Sequence, residues 1–142
     1  MHVLPLVWGR DAVRTMRLSA PVPWDLVLGS DVTFAHEHTR ALAATLRELL
    51  DGAATAGRAM RIVLSHEHRS ASRWALRGRQ QWDEADGALA SFASSAAAEG
   101  LSLRVLHEER PVSELRDGWR LWTADLSIFE VAHAAAANQA TH

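Results

Sequence analysis

This sequence predicts an α/β fold, a sheet with helices on its faces, and three features carry that prediction. Asp25-Leu26-Val27-Leu28-Gly29-Ser30 and Arg61-Ile62-Val63-Leu64-Ser65 are short apolar runs of strand length. Strands that are apolar at successive positions are those covered on both faces, as parallel strands usually are. Leu42, Leu46, Leu49 and Leu50, and later Ala85, Leu89, Phe92, Ala93 and Ala96, recur at the spacing of one helix face. Strand and helix patterns therefore alternate along the chain, which is how α/β domains are built.

Taken in order, Val3 to Val7 has strand character but is interrupted by Pro5. Proline cannot donate a ladder hydrogen bond, so this segment is expected at an edge or as an irregular strand. Arg10 to Pro23 reads as a polar connection whose end, at Pro21 and Pro23, is extended. The strand Asp25–Ser30 follows, then a helix from His36, stopped by Asp51-Gly52 and Gly57. The second strand, from Arg61, ends in His66-Glu67-His68-Arg69, and Ser70 to Gln81 reads as an Arg-rich loop or irregular turn. Asp83 is placed to cap the next helix, which ends at Gly100. Leu101 to Leu106 alternates at period two, the pattern of a half-exposed strand. Trp119 to Val131 reads as one long final strand, antiparallel to its predecessor and closing one edge of the sheet. The expected domain spans 1–132, and 133–142, with little to bury, reads as a frayed tail.

Composition narrows the functions. The chain has 142 residues, 48% hydrophobic and 23% charged, enough for one domain with a core. A net charge of −2 offers no electrostatic case for nucleic acid or an anionic membrane surface. All 15 basic residues are Arg, which in an Ala-rich chain points to compositional bias before any phosphate-binding role. Without cysteine there is no disulfide framework, thiolate metal site or thiol nucleophile. No apolar run approaches the roughly 18 residues that span a bilayer, and the first residues lack the charged start and long apolar core of a signal peptide. A cytoplasmic location is the default expectation. No strand is followed by a G-x-G-x-x-G or G-x-x-x-x-G-K-[ST] turn, so the chain contains no phosphate cradle of either type.

Four segments occur in a telling order: Leu4-Pro5-Leu6-Val7-Trp8-Gly9; Trp24-Asp25-Leu26-Val27-Leu28-Gly29-Ser30-Asp31-Val32-Thr33-Phe34; Val63-Leu64-Ser65-His66-Glu67-His68-Arg69; and Asp125-Leu126-Ser127-Ile128-Phe129-Glu130-Val131. Together they resemble the C-terminal half of the seven-β-strand (class I) S-adenosylmethionine-dependent methyltransferases, and more narrowly the branch that methylates protein lysines. The resemblance runs from Leu4 to about Val131, and its most specific part is the stretch from Trp24 to Phe34. It implies a partial Rossmann-like doubly wound sheet, with strand order 4-5-7-6 in the family's numbering. The family's glycine-rich loop after strand one and its acidic residue after strand two have no counterpart here. A truncated chain, or one whose first half is supplied by a partner chain, is therefore expected, with weak cofactor binding on its own.

The resemblance also implies site residues. Asp31 and Phe34 match the D-x-x-Y/F motif after strand four, where the methyl donor meets the incoming amine, and are the expected catalytic pair. A carboxylate there attracts a lysine ammonium and orients it until it loses its proton. In-line methyl transfer gains mainly from positioning. Trp8 matches a position lying against the adenine of S-adenosyl-L-methionine, and Ser30 and Asp31 complete the implied cofactor contacts. Glu67 and Arg69 would sit in the same cleft, towards the protein substrate.

Other readings of the same residues stay open. Asp31 can be a helix N-cap and Phe34 a core residue; Trp8 can be a packing residue, and Glu67 with Arg69 a surface ion pair. His36-Glu37-His38 and His66-Glu67-His68 would crowd one end of a parallel sheet, where a zinc-dependent hydrolase could be built. Against that, His at i and i+2 do not share a helix face, and the expected metal set is none. Trp74, Trp82, Trp119 and Trp122 could form a recognition surface, although Trp82 fits a staple on the next helix and Trp119 and Trp122 fit a cover for the last sheet edge. A non-catalytic remnant or a half-domain that pairs with a partner is the main alternative to an enzyme.

Overall fold

The computed structural model describes residues 5–19, 24–33, 35–67, 87–109, 113–116, 119–122 and 126–134. In chain order these form α1 (Arg10–Ser19), β1 (Leu26–Ser30), a 3-10 turn (His36–His38), α2 (Thr39–Thr55), β2 (Arg61–Glu67), α3 (Gly87–Ala98), β3 (Leu101–Glu109), β4 (Ser113–Arg116), β5 (Trp119–Trp122) and β6 (Leu126–His133). Four strands make the main sheet in the order β1-β2-β6-β3, and β4 pairs with β5 in a separate antiparallel ribbon. β1 and β2 are parallel, and β6 runs antiparallel to both of its neighbours, so β1, β2 and β3 all point the same way. This mixed α/β sheet is compatible with a partial Rossmann-like methyltransferase fold.

Register explains which side chains make the core. Val27, Ile62, Val131 and Leu103 form one row across the sheet, and Gly29, Leu64, Phe129 and Val105 form the next. These rows share a face because side chains alternate along each strand. Against that face pack Val13 of α1, Leu42, Leu46, Leu49 and Leu50 of α2, and Phe92 and Ala96 of α3, in one buried cluster. The leucine stripe of α2 is thus the link between sheet and helices. The helix stops where Gly57 and Arg58 donate backbone hydrogen bonds back to Ala54 O and Ala53 O, a Schellman-type C-cap.

The opposite face is different. Leu28, Val63, Glu130 and Arg104 lie in a row there, next to Leu26 and Arg61. Arg61 Nε donates to Glu130 Oε1 at 2.8 Å, and Arg104 donates to the other carboxylate oxygen. These bonds, Arg61's first, hold the Glu130 carboxyl below its ordinary range. Leu26 is 51% exposed and Leu28 71% exposed.

Several expectations need correction. β1 is not covered on both faces: it lies at the edge of the main sheet, where the expected order also has its first strand, but its residues alternate between exposed and half-buried. Arg10 to Ser19 is helix α1 and not a polar connection. Its apolar signal is short, resting on Val13 and Met16, and the helix is held by ion pairs from Arg14 and Arg17 to Glu48 of α2. Residues 5–7 form no strand, consistent with Pro5, while Val3 and Leu4 lie outside the described residues. The long final strand is two strands: β5 belongs to the ribbon, and β6 enters the main sheet between β2 and β3, leaving β3 at the edge. Trp119 and Trp122 therefore lie on the ribbon, not on a strand of the main sheet. β3 runs on to Glu109, past a register shift between Val105 and His107, and β6 runs through His133, one residue into the expected tail. The expected loop from Ser70 to Gln81, the cap at Asp83, and Trp74 and Trp82 lie outside the described residues.

Candidate functional site

The site grows from the carboxyl ends of β1 and β2, the place where open α/β sheets bind ligands. Ser30 and Ser65 are register partners there, and Ser65 Oγ donates to Ser30 Oγ at 3.0 Å. The Asp31 amide continues the ladder by donating to Ser65 O at 2.8 Å. The chain then turns sharply, with Asp31 at φ +53° in the left-handed region. Aspartate tolerates that region better than most residues, yet a non-glycine residue there still carries a strain of about 1 kcal/mol or more.

What holds the turn is buried. Thr33 (0% exposed) and His66 (2% exposed) share a hydrogen bond between Thr33 Oγ1 and His66 Nδ1 at 2.6 Å. A hydroxyl both donates and accepts, so the imidazole tautomer sets the direction of this bond. Two bonds thus tie the loop after β1 to β2, one through the backbone of Asp31 and one through Thr33. Asp31 is not a helix cap: the 3-10 turn has Ala35 as its N-cap and α2 has His38, neither with a side-chain capping bond.

Trp8 is fixed from the other side. The Gly9 amide donates to Thr45 Oγ1 at 2.6 Å, while the Thr45 hydroxyl donates to Ala41 O at 2.9 Å within α2. Gly9 itself has φ +133°, a conformation that an L side chain resists. The indole of Trp8 meets the ring of His38 edge to face, with centroids 5.9 Å apart and planes at 84°. Because α2 begins where the loop after β1 ends, Trp8 stands beside the start of α2 at the same end of the sheet as Asp31.

The structure therefore brings Ser30, Asp31 and Glu67 to one sheet end, with Trp8 beside the adjoining helix. Glu67 closes β2, half-buried and opposite Leu126 of β6. Phe34 and Arg69 lie outside the described residues. Trp8, Ser30 and Asp31 thus supply an aromatic ring, a hydroxyl and a carboxylate at this end of the sheet, groups of the kinds that an adenosine-bearing sulfonium cofactor would need.

The two His-Glu-His segments diverge. His66 is turned into the protein against Thr33, whereas His36 and His38 are exposed, and His68 lies outside the described residues. Among the described residues no group of three or more His, Cys, Asp or Glu is placed to hold a metal ion. No helix of the described residues is long and apolar enough to cross a membrane.

Thr33, Ser65, His66 and Thr45 carry structure at this site that the sequence did not assign to them; it raised His66 only as a candidate zinc ligand. The inward position of His66 had a signal: it follows Ile62 and Leu64 at period two, so it shares their buried face. Thr33 and Thr45 had none, because a buried threonine is recognisable only from its partner.

No curated protein matches this chain. The family model described as Lysine methyltransferase matches residues 1–75. That span contains β1, β2 and all six residues singled out for the site: Trp8, Ser30, Asp31, Phe34, Glu67 and Arg69. With more than half of its sequence matched, and with the matched strands ending together at the Asp31 turn, the chain belongs to the lysine methyltransferase family.

Proposed function

We propose that this chain takes part in methyl transfer from S-adenosyl-L-methionine to a lysine side chain of another protein, with Asp31 and Phe34 at the reacting centre. One observation carries the reading: the family match covers the whole candidate site, and Asp31 within it is held in a strained turn at the end of two parallel strands. Strain of this kind persists only where its surroundings over-determine it, and such residues cluster at functional sites.

When bound, S-adenosyl-L-methionine supplies a methyl group on a positively charged sulfur. The residues of this chain do the positioning. Trp8 offers a fixed aromatic face for adenine, and Ser30 a hydroxyl beside it. Asp31 attracts the lysine ammonium and holds its nitrogen in line as the proton is lost. Glu67 and Arg69 serve the flanking substrate. The strand order β1-β2-β6-β3 supports the correspondence with strands four, five, seven and six of the family.

A second reading is favoured by one specific feature. β1 is an edge strand whose Leu26 and Leu28 are exposed, and proteins seldom leave such an edge bare. We infer that the working sheet continues beyond β1 in further strands, from the same polypeptide or a partner chain, and that this chain is one half of the domain. Calorimetry with S-adenosyl-L-homocysteine, together with transfer of labelled methyl groups to lysine-bearing proteins, separates the two. Micromolar binding and labelled lysine support an enzyme acting alone; no binding by the folded chain even at millimolar ligand leaves the half-domain.

A further inference from the structure

We propose that Thr33 and His66 are a positioning pair, whose buried hydrogen bond sets the conformation of the Asp31 turn; the purpose of that setting rests on the methyl-transfer reading. Four observations carry it. The two side chains are almost fully buried, and their 2.6 Å bond joins the loop after β1 to the end of β2. Asp31 lies two residues before Thr33, in a backbone region it does not favour. Its amide bonds to Ser65 O, the residue immediately before His66, so the turn is pinned to adjacent residues of β2. Finally, His66 lies on the same inward face as Ile62 and Leu64, so its ring is anchored in the core and cannot follow the loop if the loop moves.

The consequence is geometric. The backbone bond alone fixes Asp31 at one point, and rotation about the following residues would still let the turn relax towards a common conformation. A second tie on the far side of Asp31 removes that freedom. An apolar residue at either position would fill the space but would not hold the loop. His66 and Thr33 thus act on Asp31 and touch no substrate.

The test is amide hydrogen exchange, followed by NMR on the full chain. Thr33→Val is expected to raise the exchange rate of the Asp31 amide about tenfold, the loss of one buried hydrogen bond felt as a local opening. The amides of Leu64 and Phe129 should keep their rates, and Thr33→Ser should restore protection at Asp31. His66→Phe should loosen the same amide, and the two effects on it should be less than additive in the double variant, because both substitutions remove the same bond. Unchanged Asp31 exchange in Thr33→Val overturns the proposal, and so does an equal rise throughout the core, which would mean a merely structural role. Methyl transfer is measured alongside in the same variants. If the wild-type chain transfers nothing while Asp31 responds as expected, the reading of this chain as an enzyme acting alone fails and the positioning pair stands; if transfer is present but Asp31 does not respond, the reverse holds.

Discussion

Thr45 Oγ1 accepts the Gly9 amide at 2.6 Å while its hydroxyl proton goes to Ala41 O, so one side chain links the start of the chain to α2. Thr45 is buried, and the turn it secures carries Trp8. Replacing Thr45 by valine keeps the volume but leaves the Gly9 amide without that acceptor, which should cost about 1–2 kcal/mol. Thr45→Ser should recover most of it. Urea titrations of the two variants check the sign, and an unchanged midpoint for Thr45→Val would show that water replaces the bond.

Gly29 is required by a close approach. A Cβ built there would stand 2.6 Å from Leu64 Cδ2 and 3.3 Å from Val32 Cγ2. Leu64 is buried in the core, so its methyl group has little room to retreat. Gly29→Ala should destabilise the chain by about 1–3 kcal/mol through overpacking, read as a lower thermal midpoint.

At Asp31 stability and function should move apart. Glycine accepts the left-handed conformation without strain, so Asp31→Gly should leave the folded state as stable or up to about 1 kcal/mol more stable. The same change removes the carboxylate, and methyl transfer should fall by at least about a hundredfold. Thermal melting and a labelled methyl-transfer assay on one preparation test both halves. A variant that is stable and fully active would remove Asp31 from the reacting centre.

Acid sensitivity should reflect Glu130. Arg61 and then Arg104 hydrogen-bond its carboxylate and lower its pKa from the ordinary value of 4.5. A carboxylate whose folded-state pKa is depressed stabilises the protein above its unfolded value. That contribution is lost as the pH falls below about 4.5 and through the lower folded-state pKa. Asp51, lowered chiefly by its hydrogen bond from Arg47, acts in the same direction. Glu130→Gln should therefore be less stable than wild type at neutral pH and lose less stability on acidification. Parallel stability curves from pH 7 to pH 3 would show Glu130 to be irrelevant.

Leu28 probes the open face. It is exposed, so Leu28→Ser should change the stability of the isolated chain by no more than about 0.5 kcal/mol. If further strands cover β1 in the working protein, the same substitution should weaken their association and the activity of the assembly. Sedimentation of the chain with such a segment measures the first effect.

The sequence by itself determined the α/β class, the strands around Val27 and Val63, the helix on the Leu42–Leu50 stripe, and the end of the sheet at which a site would form. Those features are local: they depend on apolar periodicity and on turn residues that any neighbour must accommodate. It also contained the motif residues of the candidate site, Trp8, Ser30 and Asp31. Tertiary structure decided what depends on partners distant in the chain. Arg10 to Ser19 becomes a helix because Val13 is buried in the core and Arg14 and Arg17 find Glu48, far along the chain, and no local pattern announces those contacts. Trp119 to Val131 divides because β4 competes for β5, while β6 finds β2 and β3. The Asp31 turn is held by Thr33 and His66, whose bond spans the whole of α2. A buried hydroxyl and a buried imidazole look like ordinary polar residues until the fold brings them within hydrogen-bonding distance.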